Sequence, residues 1–308
     1  MDLNQWDVII IGAGPAGLQA AQMLGRSRRR VLVIDGESGR NRFAAHMHGV
    51  LGHDGKSPAQ LRAEGRAEAE AYGVVFRTGS VDAVTRVGDA VRVEVAGEAF
   101  EARALIVATG VRDDLPAVPG LAERWGQSVL HCPFCHGWEV RDRCLAVIAT
   151  SPMSAHQAEM VSGLSARVTF FSAGVELAGE ARARLAANGV RIVDERVEAV
   201  EGSGSEIAGV RVAGGELIDV DAIFTGGTLV PLDQFLGGLG LARAESPVGS
   251  FLAVDHAGRT SDERIWAAGN VVSPMANVPM SMGAGAMTGS AVQGALIGWD
   301  TDRALAAA

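Results

Sequence analysis

Cys132 and Cys135 stand two residues apart in the segment His131-Cys132-Pro133-Phe134-Cys135-His136. That spacing brings two sulfurs within bonding reach when the second half of the motif opens a helix, and a helix end favours the thiolate, the reactive form. Such a pair either makes and breaks a disulfide or supplies half of a metal site. The metal reading needs a second ligand pair. Neither Cys144 nor the scattered histidines supply one at finger-like spacing, so no metal is expected. Cys144, at the mouth of a later strand, reads as a small buried hydrophobe. His136 adds a group that titrates near neutral pH, which makes it a candidate acid and base for a thiol proton. The plainer alternative is a surface histidine at a helix start.

A second chemistry is written near the N-terminus. Gly12, Gly14 and Gly17, with Pro15 and Ala16 between them, form a G-x-G-x-x-G turn after the apolar run Asp7 to Ile11. The first glycine permits the tight turn, the second lets backbone approach a pyrophosphate, and the third allows close strand–helix packing. The following helix supplies N–H groups and a partial positive charge to the phosphates. Asp35 ends the next strand about twenty residues on, where an acid accepts ribose hydroxyls. Thr109-Gly110 after a buried strand and Gly269-Asn270 after Trp266-Ala267-Ala268 are further small-residue turns. They let backbone approach a second stretch of the same ligand, and so extended a footprint suits FAD better than NAD.

These groups need elements to hold them. A short apolar strand to Ile11, a helix over Leu18 to Arg26 and a strand at Val31 to Asp35 make the first unit of a doubly wound sheet. Helical spacing follows over Ala59 to Tyr72, short alternating strands over Val74 to Val95, and a buried strand at Ala104 to Thr109. Pro116 and Pro119 mark a crossing to a second unit. That unit has strands at Leu145 to Ala149, Arg167 to Phe171, Val190 to Val200, Gly209 to Val212 and Ala222 to Thr225. Its helices lie near Ser154 to Leu164 and Ala178 to Asn188. The chain then returns to the first unit and ends in a Gly- and Met-rich helix from about Pro279 to Gly298. The reading is α/β with two Rossmann-like domains, one discontinuous over 1–114 and 232–308, the other inserted over 115–231 and carrying the C-x-x-C. The run Arg26, Arg28, Arg29 and Arg30 reads as cations complementing a helix end.

The 308 residues carry 27 basic and 36 acidic side chains, a net charge of −9, which argues against nucleic acid or an anionic membrane as partner. No apolar run approaches the roughly 20 residues that cross a bilayer. Met1 to Asp7 has no basic leader segment, so a cytoplasmic location is expected. There structural disulfides are rare, which favours the redox reading of Cys132 and Cys135.

With these motifs in place the chain resembles, over nearly its full length, the low-molecular-weight thioredoxin reductase flavoproteins. The resemblance implies FAD as cofactor and a homodimer. It assigns Cys135 to the flavin and Cys132 to exchange with substrate. It adds Asn41, Arg42, His48, Val81, Met280 and Ser281 to the cofactor contacts, His48 lying in a cluster with His46 and His53. The family carries an acidic residue where Asn270 stands, and Asp-Gly after the C-x-x-C where this chain has His136-Gly137. It also binds NADPH on a second G-x-G-x-x-A turn, matched here by Ala149-Thr150-Ser151-Pro152-Met153-Ser154. Ala149 and Ser151 replace the two leading glycines. No Lys or Arg stands in Thr169 to Gly174, where the family has its 2′-phosphate cluster. The strings Cys-Pro-Phe-Cys-His-Gly-Trp-Glu and Arg42-Phe-Ala-Ala-His-Met-His-Gly are similar to the dithiol oxidase branch, whose members close disulfides in natural products of the gliotoxin, holomycin and romidepsin type. The implied activity is oxidation of a small-molecule dithiol through Cys132 and Cys135, with oxygen as acceptor and hydrogen peroxide as product. The alternatives are a disulfide reductase fed by NADPH or an electron-transfer protein, and a flavin-bound thiol sensor.

Overall fold

Strands that read as unbroken apolar runs belong in parallel sheets covered on both faces, and the chain places them so. The structure is a computed structural model describing residues 5–308. The leader reading of Met1 to Asp7 therefore falls mostly outside the described residues. In chain order come β1 (Gln5–Ile11), α1 (Pro15–Arg26), β2 (Val31–Asp35), α2 (Pro58–Glu70), β3 (Val75–Thr78), β4 (Ala83–Val87), β5 (Ala90–Val95), β6 (Glu98–Val107) and β7 (Val111–Asp114). Next are β8 (Val129–Leu130), α3 (Pro133–His136), β9 (Leu145–Ile148), α4 (Ser154–Ser162), β10 (Val168–Phe171), α5 (Gly179–Ala187) and β11 (Arg191–Val193). The small strands β12 (Val197–Glu201), β13 (Gly209–Val212), β14 (Leu217–Ile218), β15 (Ala222–Phe224) and β16 (Thr228–Pro231) follow. The chain closes with β17 (Arg243–Ser246), β18 (Gly249–Leu252), β19 (Ile265–Ala267) and α6 (Val278–Ala306).

Two compact units result. The first holds the chain up to Arg42, Ala59–Arg112 and Leu229–Ala308; the second holds Phe43–Pro58 and Asp113–Thr228. The second therefore includes Phe43–Pro58, a stretch that the sequence reading kept within 1–114.

In the first unit the sheet order is β3-β2-β1-β6-β5-β4, with β19 also on β6. Ile10 pairs with Val33 on one side and Ile106 on the other, both in parallel register. Successive strand residues face opposite sides. Val8 and Ile10 thus join one buried cluster with Leu24 of α1 and Val292 of α6, while Ile9 and Ile11 join another with Val91 and Val93 of β5. The sheet winds outward in both directions from the gap between β1 and β6, so the turns after those strands share a crevice at their carboxyl ends.

The second unit repeats the plan with the parallel sheet β11-β10-β9-β15-β8, backed on one side by the antiparallel β12-β13-β14. Phe170 and Phe171 lie on opposite faces of β10, both fully buried.

α6 runs to Ala306, well past the expected end near Gly298. Glycine there does not stop it. Asp300 two residues further on is gripped by Arg29 at 2.9 Å and Arg103 at 2.7 Å, which anchors the last turns. Arg29 thus serves an ion pair across the unit, not the α1 dipole. The glycines of α6 have a packing role: a β-carbon at Gly285 would lie 2.1 Å from the Ala16 carbonyl oxygen of α1. Among the described residues no helix is long and apolar enough to cross a membrane.

Candidate active site

The crevice of the first unit begins at Gly12, whose φ of +102° suits glycine and whose β-carbon would lie 2.5 Å from the Ala108 carbonyl oxygen. A β-carbon on Gly17 would stand 1.9 Å from Gly12 O. Those two glycines serve the fold itself. Gly14 does not: its φ is −75° and no atom beyond its chain neighbours lies within 4 Å of where a β-carbon would sit. The space over Gly14 is kept open. α1 starts there with Pro15, which has no N–H, and with no side-chain cap. Leu18 N–H returns to Gly14 O at 2.9 Å, which leaves those of Ala16 and Gly17 as the unsatisfied donors of the first turn. This is the arrangement that receives a pyrophosphate.

Around it, Asp35 accepts the Ala13 N–H on Oδ1 at 2.9 Å, so the acid that ends β2 also ties down the glycine turn. Thr109, after β6, has a buried hydroxyl with no partner among the described residues, and Gly110 beside it has φ +74°. Gly269, after β19, has φ +77° and sits against Ala16. A cradle kept free of β-carbons, open helix donors and an orphaned hydroxyl together fit an extended dinucleotide. Asn270 differs from the expected simple donor and acceptor. Its Nδ2 donates to the carbonyls of Ser273, Pro274 and Ala276 at 3.0, 3.1 and 2.8 Å. Three acceptors around one nitrogen fix the amide orientation and leave Oδ1 as the free acceptor. Arg40, which the sequence reading passed over, binds Pro274 O at 2.8 Å and holds the same loop.

The remaining expected contacts are placed as follows. Val81 lies half-buried on the β5 side of the sheet. Asn41 is half-buried, and Arg42 is exposed and bonds back to Gly39 O. Met280 is exposed and Ser281 buried at the start of α6. Their backbone N–H groups are already engaged, Met280 N by Asn277 Oδ1 at 3.1 Å and Ser281 N by Asn277 O at 2.9 Å. Asn277, an N-cap ahead of Pro279, was legible from residue type and spacing and was missed.

In the second unit, Cys132 leads into the single turn of α3 and Cys135 lies within it, both half-buried. Cys135 N and His136 N both return to Cys132 O, at 3.1 and 3.2 Å. Four residues make too short a helix for a full macrodipole, so local N–H groups act on the sulfurs more than a long-range field. Gly137 closes the turn because nothing else fits: a β-carbon would lie 2.4 Å from Pro133 O and 2.5 Å from a Leu164 methyl. Gln157 of α4 donates to His131 O at 2.6 Å, fixing the approach to the turn from outside it. Cys144 is half-buried, its N–H bound to Asp221, so it is less enclosed than expected.

His136 has both ring nitrogens shielded from solvent and without a hydrogen-bond partner. Burial of the ring holds its pKa below the ordinary histidine value; the Glu139 carboxylate opposes that shift and His48 reinforces it. His48 sits in this unit, its Nδ1 3.3 Å from Asp54 and its Nε2 3.4 Å from Glu139. Both its nitrogens face carboxylates. His46 is exposed, and His53 keeps a buried, unpartnered Nδ1. Phe134 within the turn and Trp138 just after it are 82% and 69% exposed. Arg141 stacks over the Trp138 ring at 3.8 Å. Among the described residues no group of acids, histidines and cysteines has the makings of a metal site.

The turn after β9 contrasts with the one after β1. Ser154 Oγ accepts the N–H groups of Thr150 and Ser151, at 3.1 and 3.4 Å. Ser154, Ala155 and His156 bond back to Ser151, Pro152 and Met153. Ala149 is buried, with its N–H on Phe171 O at 2.9 Å. The donors that a phosphate would need are consumed inside the turn. Arg182 of α5 reaches the carboxyl end of β11, which the sequence reading did not foresee, but both its terminal nitrogens are held by Asp194 at 3.0 and 2.8 Å.

Residues 6–289 match the family described as pyridine nucleotide-disulphide oxidoreductase. The thioredoxin reductase tcpT of Claviceps purpurea is 32% identical over 299 residues, spanning 93% of this chain and 92% of its own. The chain belongs to the pyridine nucleotide-disulphide oxidoreductase family. It is a thioredoxin reductase-like flavoprotein and an oxidoreductase, with FAD as cofactor. The crystal structure of HlmI superposes on this flavoprotein with a TM-score of 0.94 at 39% identity, covering all of this chain and 97% of the other. An oxidoreductase from Agrobacterium tumefaciens gives 0.89, also at 39% identity, over 95% of this chain and 99% of that one.

Proposed function

We propose that this flavoprotein oxidises a small-molecule dithiol to a disulfide, acting as a homodimer, with oxygen as final acceptor and hydrogen peroxide as product. The observation that supports this direction of flow is the self-bonded turn Thr150–Ser154, which withholds its N–H donors from a nicotinamide dinucleotide. FAD would be held by Gly12, Gly14, Pro15, Ala16, Gly17, Asp35, Thr109, Gly110, Gly269 and Asn270, with Ser281 as a hydroxyl neighbour.

The chemistry starts from the oxidised pair. A substrate thiolate attacks Sγ of Cys132, the Cys132–Cys135 bond breaks, and Cys135 leaves as a thiolate. The second substrate sulfur then attacks the mixed disulfide at the substrate sulfur, which expels Cys132 and closes the product disulfide. Two electrons have passed to the cysteine pair, and two thiol protons have been released. His136 is the base placed to take one of them, because its ring nitrogens are unpartnered and its neutral form is favoured. Bound FAD supplies a two-electron acceptor that restores the disulfide and is itself restored by oxygen. The exposed Phe134 and Trp138 beside the pair give an apolar substrate a surface to lie on.

One experiment decides the direction. Under anaerobic conditions NADPH should leave the flavin absorbance unchanged, subsequent dithiothreitol should bleach it, and readmitted air should restore it with formation of peroxide. Bleaching by NADPH within seconds assigns the protein to disulfide reduction instead. Bleaching by thiol with no recovery in air makes it a sensor.

A further inference from the structure

The segment Phe43–Pro58 packs in the second unit, and its His48 pairs with Glu139 just past the dithiol turn. Glu139 lies three residues beyond His136, after a glycine that the close approach of Pro133 and Leu164 makes obligatory, so the backbone between them is fixed. Glu139 Oε1 meets His48 Nε2 at 3.4 Å. His48 Nδ1 meets Asp54, whose other oxygen accepts the Gly49 N–H at 3.1 Å, so the ring is pinned from behind. His136, by contrast, has no partner on either nitrogen. One carboxylate thus pairs with an imidazole that is held and bears electrostatically on one that is not.

We infer that Glu139 is a positioning residue shared by the two imidazoles, turning its charge to His48 or to His136 according to which ring carries the proton. Segment 43–58 thereby sets how readily His136 accepts a thiol proton. The inference rests on the reading of His136 as the acid and base. The charges that bear on His136 are those of Glu139, which favours its protonated form, and of His48, which opposes it. The other titratable groups around it are Cys132 and Cys135 on its own turn, Asp54 behind His48, and His156 and Glu159 on the neighbouring α4. Glu159 is bound to Arg184 at 2.6 Å.

The test is an NMR titration of the His136 ring in the FAD-loaded protein, its signal assigned by loss in His136→Ala. The same proteins give the pH profile of anaerobic flavin reduction by dithiothreitol. Glu139→Gln should lower the His136 midpoint, and His48→Gln should raise it, each by about half a pH unit or more. Glu139→Asp should restore most of the wild-type position, and the kinetic inflection should follow the ring. A midpoint unmoved in either variant, or moved the same way in both, overturns the sharing of the carboxylate. Midpoints that move as expected while His136→Ala leaves the kinetic profile intact locate the failure in the acid/base reading instead.

Discussion

Ser154 Oγ accepts the backbone N–H of Thr150 at 3.1 Å. The bond spends a donor that a second dinucleotide would require, and the side chain that makes it is buried. Ser154→Ala leaves the Thr150 and Ser151 N–H groups without a partner at a cost of roughly 1–2 kcal/mol. Chemical denaturation should show that loss. FAD content should stay full, because the flavin cradle lies in the other unit. A variant as stable as the parent would mean that the turn is satisfied by other means and that its closure to phosphate is weaker than argued.

Asn270 Nδ2 bonds three carbonyls of the 273–276 loop. Asn270→Asp replaces a donor by a carboxylate facing three carbonyl oxygens, so the apoprotein should lose about 1–3 kcal/mol near neutral pH. A protonated carboxyl can donate again. The deficit relative to the parent should therefore shrink as pH falls through the carboxylate range, and unfolding measured at several pH values checks this. A deficit that stays constant with pH would show that the loop does not depend on the amide donor.

The glycine turn and the dithiol were legible because each depends on residue types with few substitutes. Gly12 and Gly17 are required by backbone atoms less than 3 Å from their missing β-carbons, and a C-x-x-C has few other meanings. The end of α6 was not legible: Gly298 looks like a stop, and only the distant Arg29 and Arg103 explain why the helix passes it. The place of Phe43–Pro58 was hidden for the same reason. Its tie to the dithiol turn is one between His48 and Glu139, far apart in sequence, with no periodicity to announce it. Local stereochemistry can be read along the chain, whereas side-chain pairing across it cannot.

His136 is held below the usual histidine pKa, chiefly by burial. A depressed pKa keeps the neutral, proton-accepting ring available to more acid pH, and the base is lost only as pH falls through the folded value. Flavin reduction by dithiols should therefore rise with pH through an inflection below about 6.5. His136→Ala should remove that inflection and slow the step by roughly 10²–10⁴-fold near neutrality. Stopped-flow absorbance over a pH series measures both. An inflection that survives the substitution belongs to another group.

The two sulfurs should separate by substitution. Cys135→Ser should retain FAD yet show no flavin reduction by dithiols, because the pair can no longer close. Cys132→Ser should also lose turnover while leaving Cys135 able to react with an alkylating reagent. Absorbance under anaerobic thiol, with mass spectrometry of the alkylated protein, distinguishes the roles. Full reduction in Cys135→Ser would remove that sulfur from the electron path.

Gly12 and Gly14 make the sharpest contrast, since they lie two residues apart and only one answers to the fold. At Gly12 a methyl group meets the Ala108 carbonyl at 2.5 Å with φ at +102°, so Gly12→Ala should fail to accumulate as folded protein. At Gly14 the backbone is ordinary and the space is empty. Gly14→Ala should fold with the parent's apoprotein stability, within about 0.5 kcal/mol. Its methyl group would stand where a pyrophosphate must come close, so FAD affinity should fall markedly. Fluorescence titration of the apoprotein with FAD, beside its thermal unfolding, reads the two effects separately. Unchanged FAD affinity in a stable Gly14→Ala would mean that the open space over Gly14 is not where the phosphates lie.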